Sequence, residues 1–124
     1  MITEDYVNFE IAKLLKEKGF DEECIYVYRH DGSEDIWDAD KEDIACQKPT
    51  LQMVMKWLRE VYHYYIQVML DSWACGGHLG YYVVIQKTDS DFEMMLQDAV
   101  DEVFYQTYEE ACEAAIKYCL ENLI

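Results

Sequence analysis

Apolar residues first recur at helical spacing in Val7, Ile11, Leu14 and Leu15, with Thr3 or Asp5 placed to cap the start and Lys16, Lys18 and Gly19 at the end. This pattern predicts a helix over about residues 4–18. From Cys24 to Arg29 the period changes to two: Ile25 and Val27 fall on one face, Tyr26 and Tyr28 on the other, as in a half-buried strand. The acidic stretch Asp31 to Asp43 then reads as a long loop with a short strand around Ile36 and Trp37. Pro49 and Thr50 open a second helix whose stripe is Leu51, Val54, Met55 and Leu58, widened by Met53 and Trp57.

Around Val61 the alternation returns. Tyr64, Ile66, Val68 and Leu70 share one face of a strand, and Tyr81, Val83 and Ile85 repeat the pattern, so the two runs predict a hairpin joined by the Gly-rich connection Ser72 to Gly80. Residues 89–106 fit either a strand or a short helix, with a strand near residues 92–96 preferred. Thr107 and Glu110 form a capping pair for a last helix, along which Tyr108, Ala111, Cys112, Ala115, Ile116, Cys119, Leu120 and Leu123 recur on one face and Glu113 faces Lys117 one turn on. No repeat or linker interrupts this order. The expected fold is α+β: a single domain, residues 1–124, with an antiparallel sheet packed by about three helices.

Composition narrows the class. Of 124 residues, 52% are hydrophobic, with one Pro and five Gly, which excludes a disordered or collagen-like chain. The formal charge is −16, from 26 acidic and 10 basic residues, and ten of those acids lie between residues 20 and 48. Such a charge repels nucleic-acid phosphates and anionic lipid, so direct binding to nucleic acid or membrane is not expected. Five cysteines, an odd number without CxxC spacing, indicate a reducing cytoplasm.

The opening MITEDYVNFEIAKLLKEKGF, the middle PTLQMVMKWLREV and the ending YEEACEAAIKYCLENLI resemble a family of short, uncharacterised proteins of gut-bacterial genomes, often associated with phage or other mobile elements. These strings coincide with the three expected helices, so the resemblance implies scaffold and carries over no functional residue.

Candidate chemistry is sparse. Asp31, Ser33, Asp35 and Glu42 occupy positions one, three, five and twelve of an EF-hand-like loop, but Ile36 stands where the sharp turn needs Gly. Cys75 and His78, separated by Gly76 and Gly77, offer two soft ligands or a thiol and a base, without the further ligands of a zinc site or the third group that orients a catalytic base. No catalytic, metal or cofactor assignment follows. Eleven tyrosines are the compositional outlier; Tyr64 and Tyr65 must point to opposite sides of the hairpin, as must Tyr81 and Tyr82. The favoured reading is a small acidic, non-enzymatic interaction or regulatory protein engaging a basic, nucleic-acid-binding protein partner, with Glu34, Asp35, Asp38, Asp40, Tyr65 and Tyr82 as its candidate surface. The alternative is a small enzyme or ligand- or metal-binding module using the Cys75 and His78 loop. Oligomeric state is not encoded in these patterns.

Overall fold

A computed structural model describes residues 1–71, 80–96 and 104–124. The elements run α1 (Phe9–Glu17), β1 (Tyr26–Arg29), β2 (Glu34–Ile36), β3 (Ile44–Gln47), α2 (Leu51–Val61), β4 (Tyr64–Asp71), β5 (Gly80–Lys87), β6 (Glu93–Leu96) and α3 (Tyr108–Tyr118), which runs on into a π-helical turn, Cys119–Leu123. The class is α+β: the described residues hold three α-helices, and their strands divide between two antiparallel sheets of three, a small one ordered β2-β1-β3 and a larger one ordered β4-β5-β6.

The larger sheet follows the expected alternation. Ile66 pairs with Ile85 and Val68 with Val83, on the face that also carries Tyr64. Val83 and Ile85 are fully buried, as are Val54 and Leu58 of α2 and Ala111, Cys112, Ala115 and Ile116 of α3. Met94 of β6 lies opposite Ile85, confirming the strand preferred for residues 92–96. Thr50 and Thr107 cap α2 and α3 by accepting from the backbone N–H groups of Met53 and Glu110. The expected Glu113–Lys117 pair is not made: Glu113 accepts from Asn8 Nδ2 at 2.8 Å, and Lys117 reaches Glu10 at 3.2 Å. Both partners belong to the α1 region, so tertiary docking takes these side chains away from each other.

The first helix is shorter than the spacing suggested. Asn8 caps it by accepting from Ile11 N–H, and residues 5–7 are tied to the start of α2 instead: Val7 N–H donates to Pro49 O and Leu51 N–H to Asp5 O. Val7 is still buried, which explains why its spacing mimicked helix. At the other end Gly19, at φ +93°, closes a Schellman motif: its N–H bonds Lys16 O and that of Phe20 bonds Leu15 O.

β1 and β2 form a hairpin around Gly32, at φ +86°, with Gly32 N–H on Arg29 O and Arg29 N–H on Ser33 O. A Cβ on Gly32 would meet the Phe9 ring at 3.1 Å, so this turn packs directly on α1. The third strand, β3, was not expected; it pairs with β1 through a register irregularity at Tyr28 and Arg29, which breaks the simple alternation. Val27, on the Trp37 side, and Tyr28, against Phe9 of α1, are both buried while Ile25 is 68% exposed.

Candidate interaction surface

The acidic segment is more ordered than a solvated loop. Asp31 accepts from both the backbone N–H and the hydroxyl of Ser33, at 2.9 and 2.6 Å, and these bonds hold its carboxyl below the usual range. Asp35 is bound by the Arg29 guanidinium, whose Nε donates at 2.8 Å, and accepts from Ile36 N–H at 2.8 Å; Arg29 is the larger cause of its lowered pKa. Glu34 is paired with Lys48. Asp38 and Asp40 remain exposed, the Asp40 carboxylate accepting a long 3.3 Å bond from Glu42 N–H. Of the four expected acids, two therefore lie in ion pairs of the small sheet and two face solvent with no ion pair among the described residues.

Lys48 is the residue that sequence reasoning passed over. It is 8% exposed, and its Nζ lies 5.1, 5.9 and 5.4 Å from the ring centres of Tyr6, Tyr26 and Tyr28. The ammonium thus sits in a three-tyrosine cage closed by Glu34. Tyr28 anchors the cage by donating its hydroxyl to Val7 O, and its own ionisation is raised by burial first and by Glu34 next. The signal was present as an aromatic pair beside a lone lysine, but only the sheet register brings three separate segments together.

On the other face of the small sheet, Cys24, Val27, Trp37, Ile44 and Gln47 frame a depression of about 610 Å³, with Glu23, Asp38, Ala39 and Lys41 around it. Loop 37–43 is folded over this face by Trp37 N–H on Ile25 O, Ala39 N–H on Ile36 O and Asp43 N–H on Asp40 O. Trp37 is nonetheless 67% exposed. The volume is within the range of small-ligand and side-chain pockets, about 300–1,000 Å³. A second depression, of about 480 Å³, lies along the other side of β3 between Ala12, Lys16, Gly19, Phe20 and Asp21.

Tyr65 and Tyr82 lie on the outer face of the larger sheet, opposite in direction to Tyr64 and Tyr81. Tyr65 is 41% exposed beneath the Arg59 guanidinium at 5.8 Å, whereas Tyr82 is half-buried against Phe104. Among the described residues no hydrogen bond, ion pair or ring contact joins this pair to the four acids. They are two surfaces.

The thiols Cys24, Cys46, Cys112 and Cys119 are all buried. Burial pushes Cys24 and Cys112 up to about 11 and Cys119 to about 12, and raises Cys46 as well, so none is a thiolate at neutral pH. Cys75 and His78 lie outside the described residues, and with them the alternative enzyme or ligand site. Among the described residues no three His, Cys, Asp or Glu side chains gather as a metal-holding group, and no helix is long and apolar enough to cross a membrane. Comparison of the chain with protein-family models, curated proteins and solved structures yields no match.

Proposed function

We propose that this protein is a small, acidic, non-enzymatic interaction module that engages a basic protein, of the kind that itself binds nucleic acid, through the depression beside Trp37. The observation that carries the reading is Trp37, an indole 67% exposed on the rim of a 610 Å³ hollow with Glu23 and Asp38 beside it. An exposed indole costs solubility unless something covers it, and its face attracts a lysine or arginine side chain, with carboxylates alongside to complete the neutralisation. The net charge of −16 adds long-range attraction for a basic partner and disfavours polyanions.

The test is association with a lysine- and arginine-rich synthetic peptide, followed by stopped flow. The on-rate should fall steeply as ionic strength rises from about 10 to about 100 mM, over which the screening length shrinks from about 30 to about 10 Å. Trp37→Ala and the pair Asp38→Asn and Asp40→Asn should each weaken binding while leaving the melting temperature unchanged. Glu34 and Asp35 are poor choices for this test because their pairs with Lys48 and Arg29 hold the sheet. Affinities unaffected by all three substitutions would remove the loop from the interface.

A further inference from the structure

The two faces of the larger sheet carry different side chains. Tyr64, Ile66, Val83 and Ile85 are buried on the inner face, so Tyr65, Gln67 and Met69 of β4 and Tyr82, Val84 and Gln86 of β5 point outward. On β6, Glu93 opposite Gln86 and Met95 opposite Val84 extend that outer face. Met95 is 59% exposed and Met69 38%. The amides are engaged with one another: Gln67 donates to Gln86, and Gln86 donates to Glu93 at 3.5 Å. Glu93 is the single acid among these side chains, in a chain that carries 26 acids.

Charge lies at the two borders of this face. Arg59, from the last turn of α2, stands over the Tyr65 ring at 5.8 Å on the β4 side, and Glu93 lies on the β6 side. Tyr65, Gln86 and Glu93 are in register, forming one row across the three strands. Neither Arg59 nor Glu93 has an ion pair among the described residues. An arginine without a carboxylate is out of keeping with a chain of 26 acids and 10 bases.

Two copies of this row complement each other. β5 is the middle strand. A two-fold axis along it, between two such faces packed about 10 Å apart, lays β4 of one copy over β6 of the other and keeps each row opposite itself. Arg59 of each copy then faces Glu93 of the partner subunit, while Val84 meets Val84 and Gln86 meets Gln86 on the axis. Gln67, in register with Val84 and Met95, falls across from Met95 of the partner subunit. An axis across the strands would instead set Tyr65 and its Arg59 on the partner's Met69, with no acid to meet.

We infer that the outer face of the larger sheet is a self-association surface, on which a second copy of this chain docks about a two-fold axis along β5 with Arg59 and Glu93 paired across it. A basic protein is not its occupant, since one acid offers a polycation little to neutralise. Repulsion between two copies of charge −16 is screened beyond about 8 Å in physiological salt, and at this face the copies touch without setting carboxylate against carboxylate. Two strands of eight residues and one of four give roughly 300 Å² of sheet per copy before side-chain relief, the size of a weak, reversible interface. None of these residues borders the Trp37 hollow, so either reading can fail without the other.

The experiment is analytical ultracentrifugation of the full chain from about 5 μM to about 1 mM in physiological salt, where a monomer–dimer equilibrium should appear. Arg59→Glu and Glu93→Arg should each weaken self-association at least about tenfold, because each sets like charges together. An equimolar mixture of the two variants should recover the wild-type dimer, since every pair across the axis is again opposite in charge. Val84→Glu, which places two carboxylates on the axis, should abolish the dimer. Melting curves at the lowest concentration confirm that the variants fold. The wild-type chain gives a further measure: under excess peroxide, Met69 and Met95 should oxidise severalfold more slowly at the highest concentration than at the lowest, while Met53, 39% exposed on α2, keeps its rate. A monomer throughout overturns the inference. A dimer that tolerates Val84→Glu, or charge-swapped variants that fail to recover on mixing, overturns it equally.

Discussion

In the larger sheet, Ile66, Val83 and Ile85 lie under α2 and α3, and the face is closed by aliphatic contact. In the small sheet, the corresponding face is closed by tyrosines around an ammonium: Lys48 among Tyr6, Tyr26 and Tyr28, with Phe9 and Tyr28 rings 5.4 Å apart. Burial of carbon is non-directional and tolerates small shifts. A cage of rings and a charge depends on register, because each partner comes from a different segment. The difference teaches that the first sheet is the stable frame of the molecule, whereas the second is held by directional contacts and is bordered by the two depressions.

The most severe way to break the frame is Ile116→Asp, which would place an unpaired carboxylate at a fully buried position between helix and sheet. A loss of about 4 kcal/mol or more is expected, enough to unfold the domain at room temperature, as read by chemical denaturation. A near-wild-type transition would contradict the packing of α3.

The fold as a whole should also fail at alkaline pH. In the unfolded chain the thiols of Cys24, Cys112 and Cys119 lose their protons near 9.0, whereas the folded protein holds them to about 11, 11 and 12. Above pH 9 the unfolded state therefore binds fewer protons, and stability, fully present below 9, declines as pH rises toward 11 or 12. Denaturation midpoints measured from pH 8 to 11 should fall progressively, and alanine at Cys119 should flatten the curve.

For the small sheet the sharpest substitution is Lys48→Met, which keeps the stem and removes the charge. A cost of about 1–3 kcal/mol is expected, with Glu34→Gln costing under about 1 because Glu34 is largely exposed. Hydrogen exchange should locate the loosening in β1–β3 and leave β4–β6 protected. Uniform loosening of both sheets would erase the distinction between them.

The smallest effect sharpens the frame instead. His63 follows α2 at φ +66°, a left-handed conformation, and its carbonyl accepts from Thr88 N–H at 2.7 Å. His63→Gly removes the strain and should raise stability by less than about 1 kcal/mol, a rise of a few degrees in Tm.

The contrast between the sheets also explains what could be read from the residues. Helices α2 and α3 and the β4–β5 hairpin were legible because their buried positions repeat with one period and their caps, Thr50 and Thr107, stand at the right offset. The start of α1 is not legible because Val7 is buried in a segment paired with Pro49 and Thr50, at a spacing that also suits a helix. β3 escaped notice because Ile44–Gln47 is short and meets β1 through an irregular register. Glu34 and Asp38 look alike in the sequence, yet one closes the lysine cage and the other faces solvent; only long-range pairing assigns such roles. The Trp37 hollow, built from β1, β3 and the loop between β2 and β3, is hidden for the same reason.

One arrangement bears on how the molecule is made. Asn8 meets Glu113 across 105 positions, and Lys18 donates to Ile124 O across 106. As the chain emerges from the ribosome, α1 appears long before the helix it docks on. Contacts this distant carry a high loop-closure cost, so the early segment has to wait, and the tyrosine cage and β3 that lean on it wait too. Assembly should be a single late event after synthesis of α3, with the tyrosine cage and the Trp37 hollow absent from every nascent intermediate.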